Sequence, residues 1–370
     1  MRKIIWVIII LIIALAYWWR GSNPAPVASG EVIKIGAIIS QTGVAAAFGE
    51  MSKFGIELAV KEINEAGGIE GRPVAVIYED DRTDPKTAAG LYQKLTGIDK
   101  VDAIIGSNFD FVTQPIFALA ETGEVVVASP SSPRIAGAFE PGAKSFVMMS
   151  DFSKIILELK PYLTSSPYKK LGIIHFASAF GAEITKTLTE INSSLGKSKI
   201  VEETYNEIGN NDFRTTILKL KDSGVDLVFL DMAGPDPLTF VRQAKQLAYA
   251  PVMIADTAIK DSVSMSGAEQ ALFNGVLVLN WDVTTADFAR KFEEIYKRAP
   301  GNSVNRAYDA VYVLAQAVAE AESKSDIPKL LETKTWQTPN GPFKFNAEHA
   351  AETTAVELQI IKDGQYVKVE

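Results

Sequence analysis

The chain contains no cysteine and only two histidines. The first absence excludes disulfides, thiol catalysis, cysteine-ligated metals and an anchor built on a lipid-modified cysteine. The second removes most imidazole chemistry: His175 closes an apolar run and His349 lies in an acidic turn, so no shared role is expected of them. No G-x-S-x-G elbow and no H-E-x-x-H pair occur. Lys and Arg form no run beyond the N-terminus and the formal net charge is −8, which argues against a nucleic-acid surface. Gly196-Lys197-Ser198 falls short of a phosphate loop, because Ile191 stands where the leading glycine belongs. The cluster Glu79-Asp80-Asp81 with Asp84 is too small for a hard cation, which wants six or more oxygens. It reads as a turn at a strand end, with Asp80 left free to face a cleft. Neither a metal, a cofactor nor a catalytic set is expected.

What is present is apolar and periodic. Hydrophobic residues make up 47% of 370 positions, enough for two α/β domains with cores of their own. At the N-terminus, Arg2-Lys3 precede the apolar run Ile4 to Ala16, and Tyr17-Trp18-Trp19-Arg20 closes it with interfacial side chains. Some 16 apolar residues span about 24 Å as a helix, short for a bilayer core but workable with Trp and Arg at the interface. Val27-Ala28-Ser29 offers a cleavage site farther from the run than such sites usually lie. The reading is an uncleaved membrane anchor followed by a tether to residue 30, with the rest of the chain outside the cytoplasm.

Ile35 to Asp84 makes one complete βαβ unit. Val32 to Ile39 is apolar on both faces, the pattern of a strand buried in a parallel sheet. Phe54, Leu58, Ala59 and Ile63 recur at helical spacing, with Lys53, Glu57, Lys61 and Glu62 outside the stripe. Gly67-Gly68 supplies positive φ for a helix end and a tight turn, and Pro73 keeps the helix from resuming before Val74 to Tyr78. Asp84-Pro85 reads as N-cap and first residue of the next helix.

Strands and helices then alternate: strands at Ala103–Gly106 and Val125–Ala128, a helix at Thr113–Thr122, and a Ser/Pro turn at Ser129–Pro133. Around Phe146 to Asp151 the chain leaves this sheet, runs a helix over Ser153–Leu163 and starts a second α/β domain at Lys170–Phe176. Late helices at Asp287–Arg298, Val304–Glu322 and from Pro328 lack a sheet and are expected to return to the first domain. Trp336–Pro342 reads as a loop, and Phe343–Phe345 with Ala355–Lys362 as a terminal hairpin. Phe48-Gly49 and Phe180-Gly181 each follow the first strand of a domain. Ligands of open α/β sheets sit beyond the carboxyl ends of the strands, so two facing domains would present Phe48 and Phe180 across one cleft; alternatively, an aromatic-Gly pair simply starts a helix.

Four motifs carry a resemblance: Ile63 to Pro73 (Ile-Asn-Glu-Ala-Gly-Gly-Ile-Glu-Gly-Arg-Pro), Thr113-Gln114-Pro115, Ala128-Ser129-Pro130 and Ala307-Tyr308-Asp309-Ala310. In these, and in order and spacing from about Glu31 onward, the sequence resembles the leucine/isoleucine/valine-binding proteins. Those are type I periplasmic solute-binding proteins of ABC importers. The resemblance implies two doubly wound α/β lobes joined by three hinge crossovers, a small ligand trapped between them, an ABC permease as partner, and no catalysis. With residues 1–30 read as the anchor and tether, the expected division is 31–149 plus 281–352 for lobe 1 and 150–280 plus 353–370 for lobe 2. The ligand implied is a branched-chain amino acid or an amino-acid- or amide-like solute; the alternative is the ligand-binding domain of a sensor.

Family members hold the ligand carboxylate on two loops, here Ser107 to Val112 and Ser129 to Pro133. By resemblance Ser107, Asn108, Asp110, Ser129, Ser131 and Ser132 fall there, Phe48 and Phe180 line the cleft, and Asp256 meets the ammonium, with Asp231 adding negative character. Three positions depart: Asp110 replaces a hydroxyl, Pro133 a threonine, and Ala233 an aromatic. A carboxylate about 4 Å from an ionised Asp110 would be opposed by about 4 kcal/mol at an effective dielectric near 20. Either Asp110 turns away, with Ser107 or Asn108 in the hydroxyl's role, or the ligand is not an ordinary α-amino acid.

Overall fold

The structure, a computed structural model, describes residues 30–209 and 211–369; the segment read as an anchor and tether lies almost wholly outside the described residues. Among these, no helix is long and apolar enough to cross a membrane.

The chain begins with β1 (Ile33–Ile39), α1 (Ala46–Glu65), β2 (Val74–Asp80), α2 (Pro85–Lys94), β3 (Ala103–Ile105), α3 (Asp110–Thr122), β4 (Val126–Ser129) and β5 (Ser145–Val147). The five strands form one parallel sheet in the order β2-β1-β3-β4-β5. Next come α4 (Phe152–Leu157), α5 (Lys160–Ser165), β6 (Leu171–Phe176), α6 (Ala179–Ser194), β7 (Val201–Tyr205), α7 (Arg214–Asp222), β8 (Leu227–Asp231), α8 (Asp236–Gln246), β9 (Val252–Ala255), α9 (Ile259–Met265) and β10 (Leu277–Asn280). Strands β7-β6-β8-β9-β10 repeat the first sheet's order, again parallel. Then follow α10 (Ala286–Tyr296), α11 (Val304–Glu320), α12 (Ile327–Thr333), the small hairpin β11 (Trp336–Thr338) and β12 (Gly341–Phe343), and finally β13 (Glu357–Lys362) and β14 (Gln365–Lys368). These last two add an antiparallel edge beside β10.

The chain therefore passes between the sheets three times: after β5, after β10, and before β13. Each sheet reverses its strand order beside its first strand, which opens a crevice at the carboxyl edge. The central strands β3, β4 and β8 are buried throughout, as strands covered by helices on both faces must be. Ile35 and Ala37 of β1 share a core with Phe288, Phe292, Tyr308 and Val311, so the late helices do return to the first sheet. A second core runs from Ile104 and Val127 through Phe152 and Ile156 to Ile173 and Phe229, joining the lobes. A third fills the far face of the second sheet around Phe213, Leu230 and Phe240.

Local chemistry explains the element ends. Gly67 and Gly68 have φ of 96° and 82°, and the Asp84 carboxylate accepts from Thr87 N–H at 2.6 Å with Pro85 beginning α2. Three expectations need correction. The helix over Ser153–Leu163 is broken between α4 and α5, where Leu159 turns inward and is fully buried. Trp336–Pro342 is a hairpin rather than a loop, with Trp336 pinned beneath it. The terminal hairpin pairs β13 with β14, while Phe345 bridges to Ala351 instead. Strand β5 and helix α9 carried too few residues to show a period.

The repeated Phe-Gly pair has a physical cause. A Cβ on Gly49 would lie 1.9 Å from the Ser40 carbonyl oxygen, and one on Gly181 would lie 2.2 Å from His175 Nδ1 and 2.4 Å from the Phe176 carbonyl oxygen. Each glycine lets the first helix of its lobe press against the end of that lobe's first strand, and so places the preceding phenylalanine at the cleft. His175 cannot give way, because its ring bridges the Phe176 carbonyl and Glu202 at 2.8 and 2.9 Å. Gly181→Val is expected to destabilise the protein by about 1–3 kcal/mol in denaturant unfolding. Gly90→Ala, mid-helix in α2 with open space around it, should instead stabilise by up to about 1 kcal/mol.

Candidate functional site

The carboxyl edges of the two sheets face each other across a concave cleft lined by residues of both lobes, the kind of place where small-molecule sites form. Its walls are aromatic. Phe48 packs on Phe109 at 5.4 Å between ring centroids, Phe109 stacks on Phe111 at 5.6 Å, and Phe111 meets Phe176 of the other lobe at 6.1 Å. Phe176 continues to Tyr205 at 5.6 Å, while Phe180 stacks on Phe152 at 4.0 Å and approaches Trp281 edge-on. Rings from β6 and β7 thus line the same cleft as Ala233.

The floor is acidic. Asp110 opens α3; Asp231 ends β8; Asp256 follows β9; Asp282 follows β10. All four are at most 9% exposed. Burial raises Asp110 above the usual carboxylate range, against N–H groups of Phe111 and Phe180 that pull it down. Burial also pushes Asp231 to about 6, with the hydrogen bond to Asp256 and the charge of His175 opposing. Asp256 is raised well above the ordinary range, first by burial and then by the Asp231 charge. Asp256 Oδ1 accepts from Ala258 N–H at 2.8 Å, whereas Asp231 Oδ2 is buried without a hydrogen-bond partner.

Among the described residues, Arg306 is the one cation on the cleft wall. Each of its three nitrogens is engaged: Nε on the Pro130 carbonyl at 2.5 Å, Nη1 on the Trp281 carbonyl at 3.0 Å, Nη2 on Ser303 Oγ at 3.3 Å. It also forms a buried ion pair with Asp282, whose Oδ1 accepts from Ser303 N–H at 3.0 Å.

Phe48, Asn108, Asp110, Ser131, Ser132, Phe180, Asp231 and Asp256 all line this cleft. Ser107 and Ser129 do not. Ser107 Oγ donates to Asp81 at 2.5 Å, and Ser129 Oγ donates to the Ser107 carbonyl at 3.2 Å, both fully buried. They fix the loop backbones from behind. Asp81 also accepts from Ser40 Oγ at 2.6 Å and Thr83 N–H at 2.8 Å, tying the ends of β1 and β3 together. Asp80 does not face the cleft: its carboxylate takes Thr42 N–H at 3.1 Å, Thr42 Oγ1 at 2.6 Å and Arg82 N–H at 3.0 Å. Sequence reading missed Arg306, Asp282, Tyr205 and Trp281. A charged residue inside the buried stripe Val304, Ala307, Ala310, Val311 was the available signal for the first.

The loop that would grip a carboxylate has few donors left. Ser131 Oγ donates to Ser303 Oγ at 2.7 Å and accepts from Asn108 Nδ2 at 3.1 Å. Ser132 N–H donates to Ser129 Oγ at 3.3 Å, and Pro133 has no N–H.

A family model described as periplasmic binding protein matches residues 32–365. A leucine-, isoleucine-, valine-, threonine- and alanine-binding protein of Pseudomonas aeruginosa is 25% identical over 328 residues, 86% of this chain and 87% of its own length. The branched-chain amino acid transporter substrate-binding protein LivJ from Streptococcus pneumoniae, solved with isoleucine, superposes with a TM-score of 0.79 at 24% identity, over 92% of this chain and 99% of that one. An ABC-transporter solute-binding protein of R. palustris, solved with benzoate, superposes with a TM-score of 0.77 at 20% identity, over 91% and 95%.

Proposed function

Because the chain belongs to the periplasmic binding protein family, we propose that it is the extracytoplasmic receptor of an ABC importer, closing on a small solute with an ammonium head and an apolar or aromatic body. The moving bodies in this reading are residues 31–149 with 281–352 and residues 150–280 with 353–370. The N-terminal segment would hold both at the membrane.

One observation carries the ligand class. Asp231 and Asp256 sit side by side, both buried, with Asp256 held well above the ordinary carboxylate range beside the Asp231 charge and one oxygen of Asp231 unpartnered. Such a pair is costly until a cation or a donor-rich head completes it. The cleft's own cation cannot do so, since Arg306 is already paired with Asp282. The aromatic walls then suit a branched or aromatic body.

The opposite end of the ligand separates amine from amino acid. With Asp110 in place, Ser131 and Ser132 engaged and Pro133 lacking a donor, a free carboxylate finds little to hold it. Amino-acid amides and simple amines therefore fit better than branched-chain amino acids. In a thermal-shift comparison, L-leucinamide at a hundredfold excess over its Kd should stabilise the protein by about 2.7 kcal/mol. Equal or greater stabilisation by L-leucine at the same concentration would sink the exclusion of carboxylates and restore an ordinary amino-acid ligand.

A further inference from the structure

Asp110 belongs to one lobe and the carboxylates nearest it to the other. It stands in the first turn of α3, where its own lobe offers the Phe111 N–H. Across the same cleft, on the second lobe, stand Asp231 and Asp256, both buried like Asp110; the Phe180 N–H at the start of α6 and the Asp110 charge act across that seam. The remaining charged or titratable groups around this seam are occupied. His175, beneath Asp231, is paired with Glu202 at 2.9 Å. Asp261 accepts from Asn302 Nδ2 at 2.9 Å, and Lys260 Nζ donates to Asn280 at 2.7 Å. The Tyr205 hydroxyl donates to the Asp231 carbonyl at 3.1 Å, and Arg306 is held by Asp282. Among the described residues, no cation on the cleft wall is free to neutralise three converging carboxyls.

We infer that Asp110 makes closure of the lobes conditional on a cation. Closing the empty cleft brings the Asp110 carboxylate against those of Asp231 and Asp256 and removes all three from water. A positive group between them relieves the repulsion, so ligand charge and lobe closure become linked. Asp110 is then a specificity-determining residue: a neutral or anionic solute of suitable shape would fill the cleft without closing it. This deepens the amine-ligand reading and rests on it for the ligand, but the behaviour of the empty protein follows from Asp110 and the carboxyls that face it, with no ligand assumed.

The sign of the pH dependence is fixed. Acids that burial in the cleft holds above their ordinary range bind protons there more tightly than when solvated. Closure of the empty protein is therefore favoured at low pH and lost as pH rises through about 6, where Asp231 ionises. A bound cation reverses the trend, and its affinity rises over the same interval.

The absence of cysteine allows a direct measurement on the full chain. Val44→Cys, beyond β1, and Met265→Cys, at the end of α9, place spin labels on exposed sites of the two lobes, which are 50% and 60% accessible. Electron–electron distances are then measured without ligand at pH 5 and pH 8, with and without Asp110→Asn, which keeps an acceptor for Phe180 N–H. The expected result is a short distance at pH 5, a long one at pH 8, and a short one at both for Asp110→Asn. Asp110→Ser, which restores a small hydroxyl, should also shorten the pH 8 distance. A wild-type distance independent of pH, or Asp110 variants that remain open at pH 8, would overturn the gate. If the gate stands but amines fail to bind, the ligand reading fails alone.

Discussion

Arg306→Met should lower stability by about 3–5 kcal/mol, the usual cost of stranding one member of a buried ion pair. For lobes of this size that corresponds to a fall in Tm of roughly 6–20 °C. Arg306 and Asp282 are each 6% exposed, so the carboxylate left behind cannot be rehydrated. Asp282 Oδ2 already lacks a partner, and the Pro130 and Trp281 carbonyls would lose their donors as well. Methionine fills much of the same volume, so the loss is electrostatic rather than a cavity. Asp282→Asn in the same chain should therefore recover most of it, read by denaturant midpoints of the two single variants and the double. Failure of the double variant to recover would mean that Arg306 acts through packing alone.

Asp256→Asn is expected to move binding and stability in opposite directions. Removing one charged partner of a buried, hydrogen-bonded ligand contact costs about 2–5 kcal/mol, roughly 30- to several-thousand-fold in affinity for an amine. Meanwhile the empty protein loses a buried carboxyl held against the Asp231 charge. It should become more stable by about 1–2 kcal/mol near neutral pH. The wild type itself should gain stability as pH falls below about 6, because Asp231 is raised to that value in the fold from an ordinary value near 4. That pH gain should persist in Asp256→Asn, since burial rather than Asp256 is what raises Asp231. Calorimetric titration and thermal melts on the same preparation check both signs.

These residues were not equally legible. The βαβ unit at Ile35–Asp84 was, because a long amphipathic stripe, two glycines of positive φ and an Asp-Pro cap agree on one local structure. Strands of three residues such as Ser145–Val147 and Trp336–Thr338 leave no period to read, and tertiary pairing alone creates them. Phe48 and Phe180 could be placed from the repeated Phe-Gly pair, although the reason for the glycines, close approach to a strand-end carbonyl, appears only in three dimensions. Asp110 and Asp256 were placed by resemblance. Ser107 and Ser129 were assigned to the cleft on the same grounds, yet their hydroxyls point backward to Asp81 and to the Ser107 carbonyl. Arg306 and Asp282 belong to a helix start and a crossover 24 positions apart, and no sequence pattern links such a pair.

The most direct measurement is a calorimetric titration of the wild type with a matched pair of solutes, isoamylamine and 4-methylpentanoate, at pH 7.5. Both carry the same branched body; they differ in the charge of the head. A cleft floored by Asp110, Asp231 and Asp256, with its single arginine already paired, should bind the amine at one site per chain and leave the carboxylate unbound at millimolar concentration. Saturable binding of the carboxylate with no binding of the amine would contradict a cation-selective clamp.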